Sequence, residues 1–251
     1  AARARGLQLR HDEVPAVDGE SALFEKYLDQ LSAELPNMRE TLRRLGVLMF
    51  ETRRPELPLA VADEWVHAWR AQLGFDSAAR VVKLDPIEEL VAASVLMRPV
   101  EEGFGVDRRL VAFRFSHQRL CEQVLYRELL RQIAPRSLPT GEELLAWAKH
   151  AAGAEAGAAQ DNFAELAGAL EPVTTRLAAE GQGETLATLL DLDDEPCRTR
   201  LLGAAIRALG PAWGKTDDGE AGPAQVVASL VKANLNAGRG ERFAPSVWLA
   251  Q

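Results

Sequence analysis

Ser116 and His117 stand where the segment FRFSHQRLCEQVLYREL, residues 113–129, changes its hydrophobic period, and no other pair in the chain is better placed to do chemistry. Val111, Phe113 and Phe115 alternate with Ala112 and Arg114 as in a half-buried strand, whereas Leu120, Cys121, Val124, Leu125 and Leu129 recur at helical spacing. A strand that runs almost directly into a helix delivers the helix's free N–H groups to one spot. The Ser116 hydroxyl is expected to cap the first of them, with His117 in the first helical turn. Free amides, the positive end of the helix dipole and an imidazole donor suit an anion, a phosphate above all. The competing expectation is a histidine that merely helps to cap its own helix.

Other chemistries are less well supplied. Adjacent Ser and His do not make a nucleophile and base by proximity, and no G-x-S-x-G elbow surrounds them. Cys121, four residues after His117, is expected to be a buried and inert thiol, and Cys197 a second reduced core residue. The carboxylates fall on polar helix faces and read as solvated surface charge. Gly210-Pro211-Ala212-Trp213-Gly214-Lys215-Thr216 resembles a phosphate-binding P-loop at first sight, but it has three residues between the glycines where the pattern needs four. The helical pattern LLGAAIRAL before it is also wrong for a P-loop, which follows a buried strand, so an interhelical loop is expected. His11, His67, His117 and His150 are scattered and no CxxC or HExxH occurs, so no structural metal is expected. The chain is therefore not expected to be an enzyme.

Composition sets wide bounds. The 251 residues are 47% hydrophobic, ample for a buried core in one large or two small domains. A formal charge of −8 and a pI near 5.2 argue against a broad nucleic-acid or anionic-membrane surface. No apolar run approaches the ~20 residues of a membrane helix and no signal-peptide pattern opens the chain, so a cytoplasmic location is expected. Ala1-Ala2 begins the sequence without an initiating methionine, which suggests a piece of something longer.

The elements that must position Ser116 and His117 follow from period and punctuation. Residues 1–19 read as a linker and 20–35 as a helix with Leu23, Phe24, Tyr27, Leu28, Leu31 and Leu35 on one face. Pro36 ends that helix or begins the next, and Asn37 with Glu40 reads as a capping box before Met38, Leu42, Leu45 and Met49. A third helix spans about 59–71, with Val61, Trp65, Val66 and Trp69 inward. Asp85, Pro86 and Glu88 then start a helix over 85–97 with Ile87, Leu90, Val91 and Val95 as its apolar face. A β-hairpin with a long loop through Gly103-Phe104-Gly105 returns along Leu110 to Phe115. Three helices, a hairpin and a closing helix are the order of a winged helix. Beyond Pro135, helices are expected near 140–152, 160–180, 183–190, 195–209 and 223–236. Their lengths are those of an α-solenoid, without a fixed repeat period. The five tryptophans, Trp65, Trp69, Trp147, Trp213 and Trp248, are expected to pack rather than to hold a cofactor.

Phe115, His117, Leu120 and Glu122 carry a family resemblance. With the approach segments LRRLGVLMFETRRPELPL at 42–59 and LDPIEELVAASVLMRP at 84–99, they make the chain resemble STAND signal-transduction NTPases of the NACHT, or NOD-like, type. That family's winged helix closes on a strand, Phe-x-His and a helix bearing a Gln-Glu pair. Here Cys121 stands where the Gln commonly falls, and Arg119 replaces a small polar residue. The resemblance implies a mainly α fold: a linker at 1–19, a linker helix at 20–35, a winged-helix domain at 36–134 with a short β-hairpin, and an α-helical, solenoid-like array at 135–251. It implies that His117, beside Ser116, touches the β-phosphate of ADP bound to an upstream P-loop domain, so that ADP or ATP is a cofactor of the parent protein and of no part of this chain alone. The implied partners are that domain, a protein or ligand on the helical region and a homo-oligomer on activation, in a defence or signalling role. Two other readings stand beside it: a free-standing helical interaction scaffold, and a winged-helix DNA-binding regulator. The second is disfavoured because the presumed recognition helix carries Asp85, Glu88 and Glu89 and no Lys or Arg. Arg108 and Arg109 at the wing tip are its single basic feature.

Overall fold

The computed structural model describes residues 19–34, 36–72, 85–98, 101–102, 109–110, 112–153, 163–209 and 222–236. Arg108, expected at a wing tip, the turn expected at 103–105, the P-loop-like sequence at 210–216 and the C-terminal Trp248 lie outside them.

The described residues are mainly helical with a small antiparallel sheet. In chain order they form α1 (Gly19–Glu34), α2 (Pro36–Thr52), β1 (Glu56–Pro58), α3 (Leu59–Gln72), α4 (Pro86–Ala92), β2 (Leu96–Met97), β3 (Glu101–Glu102), β4 (Arg109–Leu110), β5 (Ala112–Phe115) and α5 (Gln118–Gln132). There follow α6 (Gly141–Ala152), α7 (Ala164–Ala179), α8 (Gly183–Ala187) with a 3-10 turn at Thr188–Asp191, α9 (Glu195–Leu209) and α10 (Gly222–Asn236).

The start of α4 forms as its sequence dictates: Asp85 Oδ1 accepts from the N–H groups of Ile87 at 3.1 Å and Glu88 at 2.8 Å, with Pro86 at the first helical position. The expected helix over 85–97 stops sooner, however. Ser94 adopts φ 56°, a left-handed conformation that ends the helix, and Leu96 and Met97 leave as a strand. At the start of α2 the helix already includes Pro36, one residue ahead of the expected Asn37, and the Asn37 side chain lies outside the described residues. Glu40 bonds Arg43 at 2.7 Å and Arg44 at 3.1 Å.

The three-stranded sheet has the order β1-β5-β2, all antiparallel, with the last strand in sequence at its centre. Leu57 pairs with Phe113 and Leu96 with Phe115, and Glu56 meets Arg114 across the first pair with an ion pair of 2.8 Å. β3 and β4 extend the hairpin as a separate two-stranded ladder. The sequence pattern yields the hairpin but not β1, a three-residue strand ending in Pro58 whose Glu56 pairs with Arg114, 58 residues away. Within β5 the expected alternation holds for Phe113, Arg114 and Phe115, but Ala112 is buried as well.

One apolar cluster runs from Leu28 on α1 through Leu125 on α5 and Leu170 on α7 to Leu230 on α10. It crosses the expected 134/135 boundary without a break. Beyond that boundary the helices group around α7, which packs against α5, α6, α8, α9 and α10. A linear solenoid, in which each repeat meets its neighbours alone, is not built this way. His150 on α6 adds a polar tie to the first half: its Nε2 lies 2.6 Å from the Phe50 carbonyl and its ring stacks on Phe50 at 4.7 Å.

α6 opens with a full capping box, in which the Glu143 N–H donates to Thr140 Oγ1 and the Glu143 carboxylate accepts from the Thr140 N–H at 2.8 Å. That backbone bond, aided by Arg136, holds the Glu143 carboxyl below the usual carboxylate range. A carboxylate depressed in the folded state stabilises fully above its unfolded pKa, ~4.3, and the contribution is lost as pH falls through the folded value. Urea titrations of wild type and Glu143→Gln at pH 7, 5 and 3 are therefore expected to show a stability gap that is constant between pH 7 and 5 and narrows at pH 3.

Candidate functional site

β5 delivers the chain to the sheet's edge of α5, and the junction is fixed by backbone bonds. The Ser116 N–H donates to the Val95 carbonyl at 3.0 Å, and the Ser116 hydroxyl donates to the Ser94 carbonyl. Ser116 thus ties the junction to the left-handed turn after α4 and does not cap α5. The cap is His117, with extended backbone at φ −146° and ψ 133°, whose Nδ1 accepts from the Arg119 N–H at 3.2 Å. Both expectations for these residues shift by one position, because the serine hydroxyl finds a carbonyl on a neighbouring element before it finds the helix amides.

The capping role sets the chemistry of the ring. An Nδ1 that accepts is unprotonated, so the neutral imidazole carries its proton on Nε2 and offers it as a donor. His117 is exposed, and Nε2 has no hydrogen-bond partner among the described residues. Phe24 of α1 stacks on the ring with centroids 5.0 Å apart, which fixes its orientation. α1 is itself anchored, by the Tyr27 hydroxyl to the Ala93 carbonyl and by Arg127 to Asp29 at 2.7 Å. The Leu120 N–H bonds the His117 carbonyl at 3.0 Å, leaving the Gln118 N–H without a partner among the described residues. Among the described residues the junction thus presents an oriented imidazole N–H and a helix-end amide to solvent, beside the half-exposed Arg119 guanidinium.

Behind the junction lies a buried charge network that sequence reasoning missed. Glu122, one turn into α5, is 5% exposed although helix-face counting placed it on the surface. Its carboxylate accepts from Arg119 at 2.7 Å and from Gln118 Nε2 at 3.0 Å. Arg200 of α9 approaches it to 3.8 Å while bonding Glu171 of α7 at 2.5 Å and the Ala164 carbonyl at 3.1 Å. A buried carboxylate is retained only with such partners. The signal available in sequence was Gly168, since a side chain on α7 at that position would occupy the carboxylate's space: a Cβ there would lie 2.3 Å from Glu122 Oε1. The network therefore joins the first turn of α5, where His117 sits, to α7 and α9.

The remaining candidates behave as follows. Cys121 and Cys197 are unbridged and buried, and burial pushes the Cys121 thiol far up and the Cys197 thiol up to about 11, so neither is a thiolate at neutral pH. Cys121 Sγ rests 3.6 Å from Met49 Sδ. No group of three or more His, Cys, Asp or Glu among the described residues is arranged to hold a metal ion. No helix among them is long and apolar enough to cross a membrane. Trp147 is buried with its N–H donated to Gln132 at 3.1 Å, and Trp65 and Trp69 are half-buried on α3. In α4 the acidic Glu88 bonds Arg98 at 2.8 Å, and the first turn remains negative. The chain matches no protein-family model, no curated protein and no solved structure.

Proposed function

We propose that this chain is the winged-helix and helical regulatory region of a STAND, NACHT-type NTPase, acting as a nucleotide-state-dependent switch and partner-binding module. We read the order α2, β1, α3, α4, β2, β5, with β5 central in the sheet and β3 and β4 as a separate ladder before it, as a winged-helix order, which supports the proposal. The observation that carries it is His117: exposed, oriented by Phe24 and by its own helix amide, with Nε2–H directed away from the cap. Such a donor beside a helix N-terminus suits the phosphate of a nucleotide held by a separate domain. The network from Gln118 and Arg119 through Glu122 to Arg200 and Glu171 supplies a path by which events on the helical region bias that contact. ATP hydrolysis would belong to the upstream domain, and ADP or ATP to the whole protein.

A free-standing helical scaffold is the second reading, favoured by the fact that His117 already has work as a cap. Two variants separate the two. His117→Asn keeps a good N-cap and removes the imidazole, while His117→Ala removes both. In the protein that carries the P-loop domain, either variant is expected to release ADP about ten- to a hundredfold faster and to raise basal output, since a hydrogen bond to a charged group is worth ~1.5–3 kcal/mol. Wild-type ADP retention in His117→Asn, with loss only of thermal stability in His117→Ala, leaves the histidine as a cap and removes the sensor reading. Absence of a Walker A strand-loop-helix upstream of Ala1 removes it as well.

A further inference from the structure

Helices α2 and α5 run antiparallel, as Met49 against Cys121 and Gly46 against Val124 and Glu128 show. Gly46 makes their close approach possible, since a Cβ there would lie 3.1 Å from Glu128 Cβ and 3.2 Å from the Val124 carbonyl. On the facing surfaces two stripes at i, i+3, i+4, i+7 spacing come together: Arg39, Leu42, Arg43 and Gly46 on α2, and Val124, Arg127, Glu128 and Arg131 on α5. With Ser32 of α1 they line a cavity of about 230 Å³. Its lining is mostly apolar, with the buried Leu42, Gly46 and Val124, and includes four arginines and the buried Glu128, in a chain whose formal charge is −8.

The rim groups have partners of unequal quality. Arg131 bonds Glu128, a carboxylate only 4% exposed, at 2.5 Å, and is set there. Arg43 holds Glu40 with two nitrogens at 2.7 Å each, and Arg127 bonds Asp29 at 2.7 Å and the Glu25 carbonyl at 2.9 Å, the two carboxylates being 51% and 68% exposed. A guanidinium fork carries more N–H donors than these bonds use, so each arginine can meet a second anion without releasing its first partner. Arg39, exposed on α2, has no ion pair among the described residues.

We propose that this cavity binds a small amphipathic anion, a carboxylate or phosphate monoester on a short apolar body, the head taken by Arg39, Arg43 and Arg127 and the body lying on Leu42 and Val124. Guanidinium forks match the paired oxygens of both head groups, and an apolar floor rejects an anion that has no body to bury. This site is separate from His117 and does not depend on the nucleotide reading.

The test is calorimetric titration of the chain with hexyl phosphate and with hexanoate, against inorganic phosphate and hexanol. One or both amphipathic anions are expected to bind at least about tenfold more tightly than inorganic phosphate and hexanol, and to bind more weakly as salt rises. Arg39→Ala, at an exposed position that leaves the melting temperature unchanged, is expected to weaken binding about fivefold or more, and Arg127→Gln likewise. Binding of neither anion, equal binding of inorganic phosphate, or undiminished binding by Arg39→Ala would each overturn the assignment. Hexyl phosphate bound without hexanoate, or the reverse, identifies which head group the site takes.

Discussion

Gly168→Ala is expected to destabilise the protein by about 2–3 kcal/mol, at the upper end of what a single added methyl costs in a packed interior. The methyl would lie 2.3 Å from Oε1, 2.5 Å from Cδ and 2.9 Å from Cγ of Glu122, so the side chain as a whole must move and not only its tip. Glu122 is held by Gln118 and Arg119 on its own helix and faces Arg200 across the interface. Displacing it strips a buried carboxylate of its donors or forces α7 away from α5, and both outcomes are costly. Glu122→Ala should also destabilise, by ~1–3 kcal/mol, because Arg119 and Arg200 lose a partner. In the double variant the new methyl enters the space the carboxylate has left, so the two costs are expected to fall short of their sum by about 1–2 kcal/mol. Chemical denaturation of the four proteins measures this directly. Additive costs would mean that Gly168 and Glu122 are not in conflict and that the α5–α7 contact does not depend on the pair. In the intact protein of the proposed function, Gly168→Ala should also uncouple the helical region from the junction at His117.

Leu125→Ala is expected to cost about 3 kcal/mol, within the ~2–5 kcal/mol range for fully buried leucines. Leu125 is 0% exposed, on a helix that packs against α1, α2 and α7 and so joins both halves of the molecule. That loss is a large part of a total stability of ~5–15 kcal/mol. The more informative outcome is its reach. If the apolar cluster from Leu28 to Leu230 is one cooperative unit, native-state hydrogen exchange should show the slowest amides of α2 and of α9 losing the same protection. Loss confined to residues before 134 would show two units that fold separately.

Much of the fold was legible in local chemistry. Asp85, Pro86 and Glu88 announce the start of α4, because a cap, a first-turn proline and an N3 carboxylate act on amides within four residues of one another. Residues 113–129 announce a strand running into a helix, since the period of buried positions changes within the segment itself. The helices after Pro135 appear close to where apolar spacing puts them. Where the reading failed, the deciding partner was distant. β1 exists because β5 is there to pair with it. Val95 and Leu96 are buried in either a helix or a strand, so their pattern alone did not reveal that Ser94 ends α4. Ser116 looked like the cap until its hydroxyl found Ser94, and His117 took the position.

Sequence alone thus determined the helical character of the chain, most helix starts and the placing of His117 at a strand-to-helix junction, because those depend on interactions within one or two turns. Tertiary structure alone decided that Glu122 is buried against Gly168, that Phe24 orients the imidazole and that arginines of α2 and α5 face one cavity. Each of those facts depends on the relative position of two helices far apart in sequence. Local periodicity says which face of a helix is apolar, but it does not say which other helix covers that face, and so it cannot tell a buried carboxylate from a solvated one.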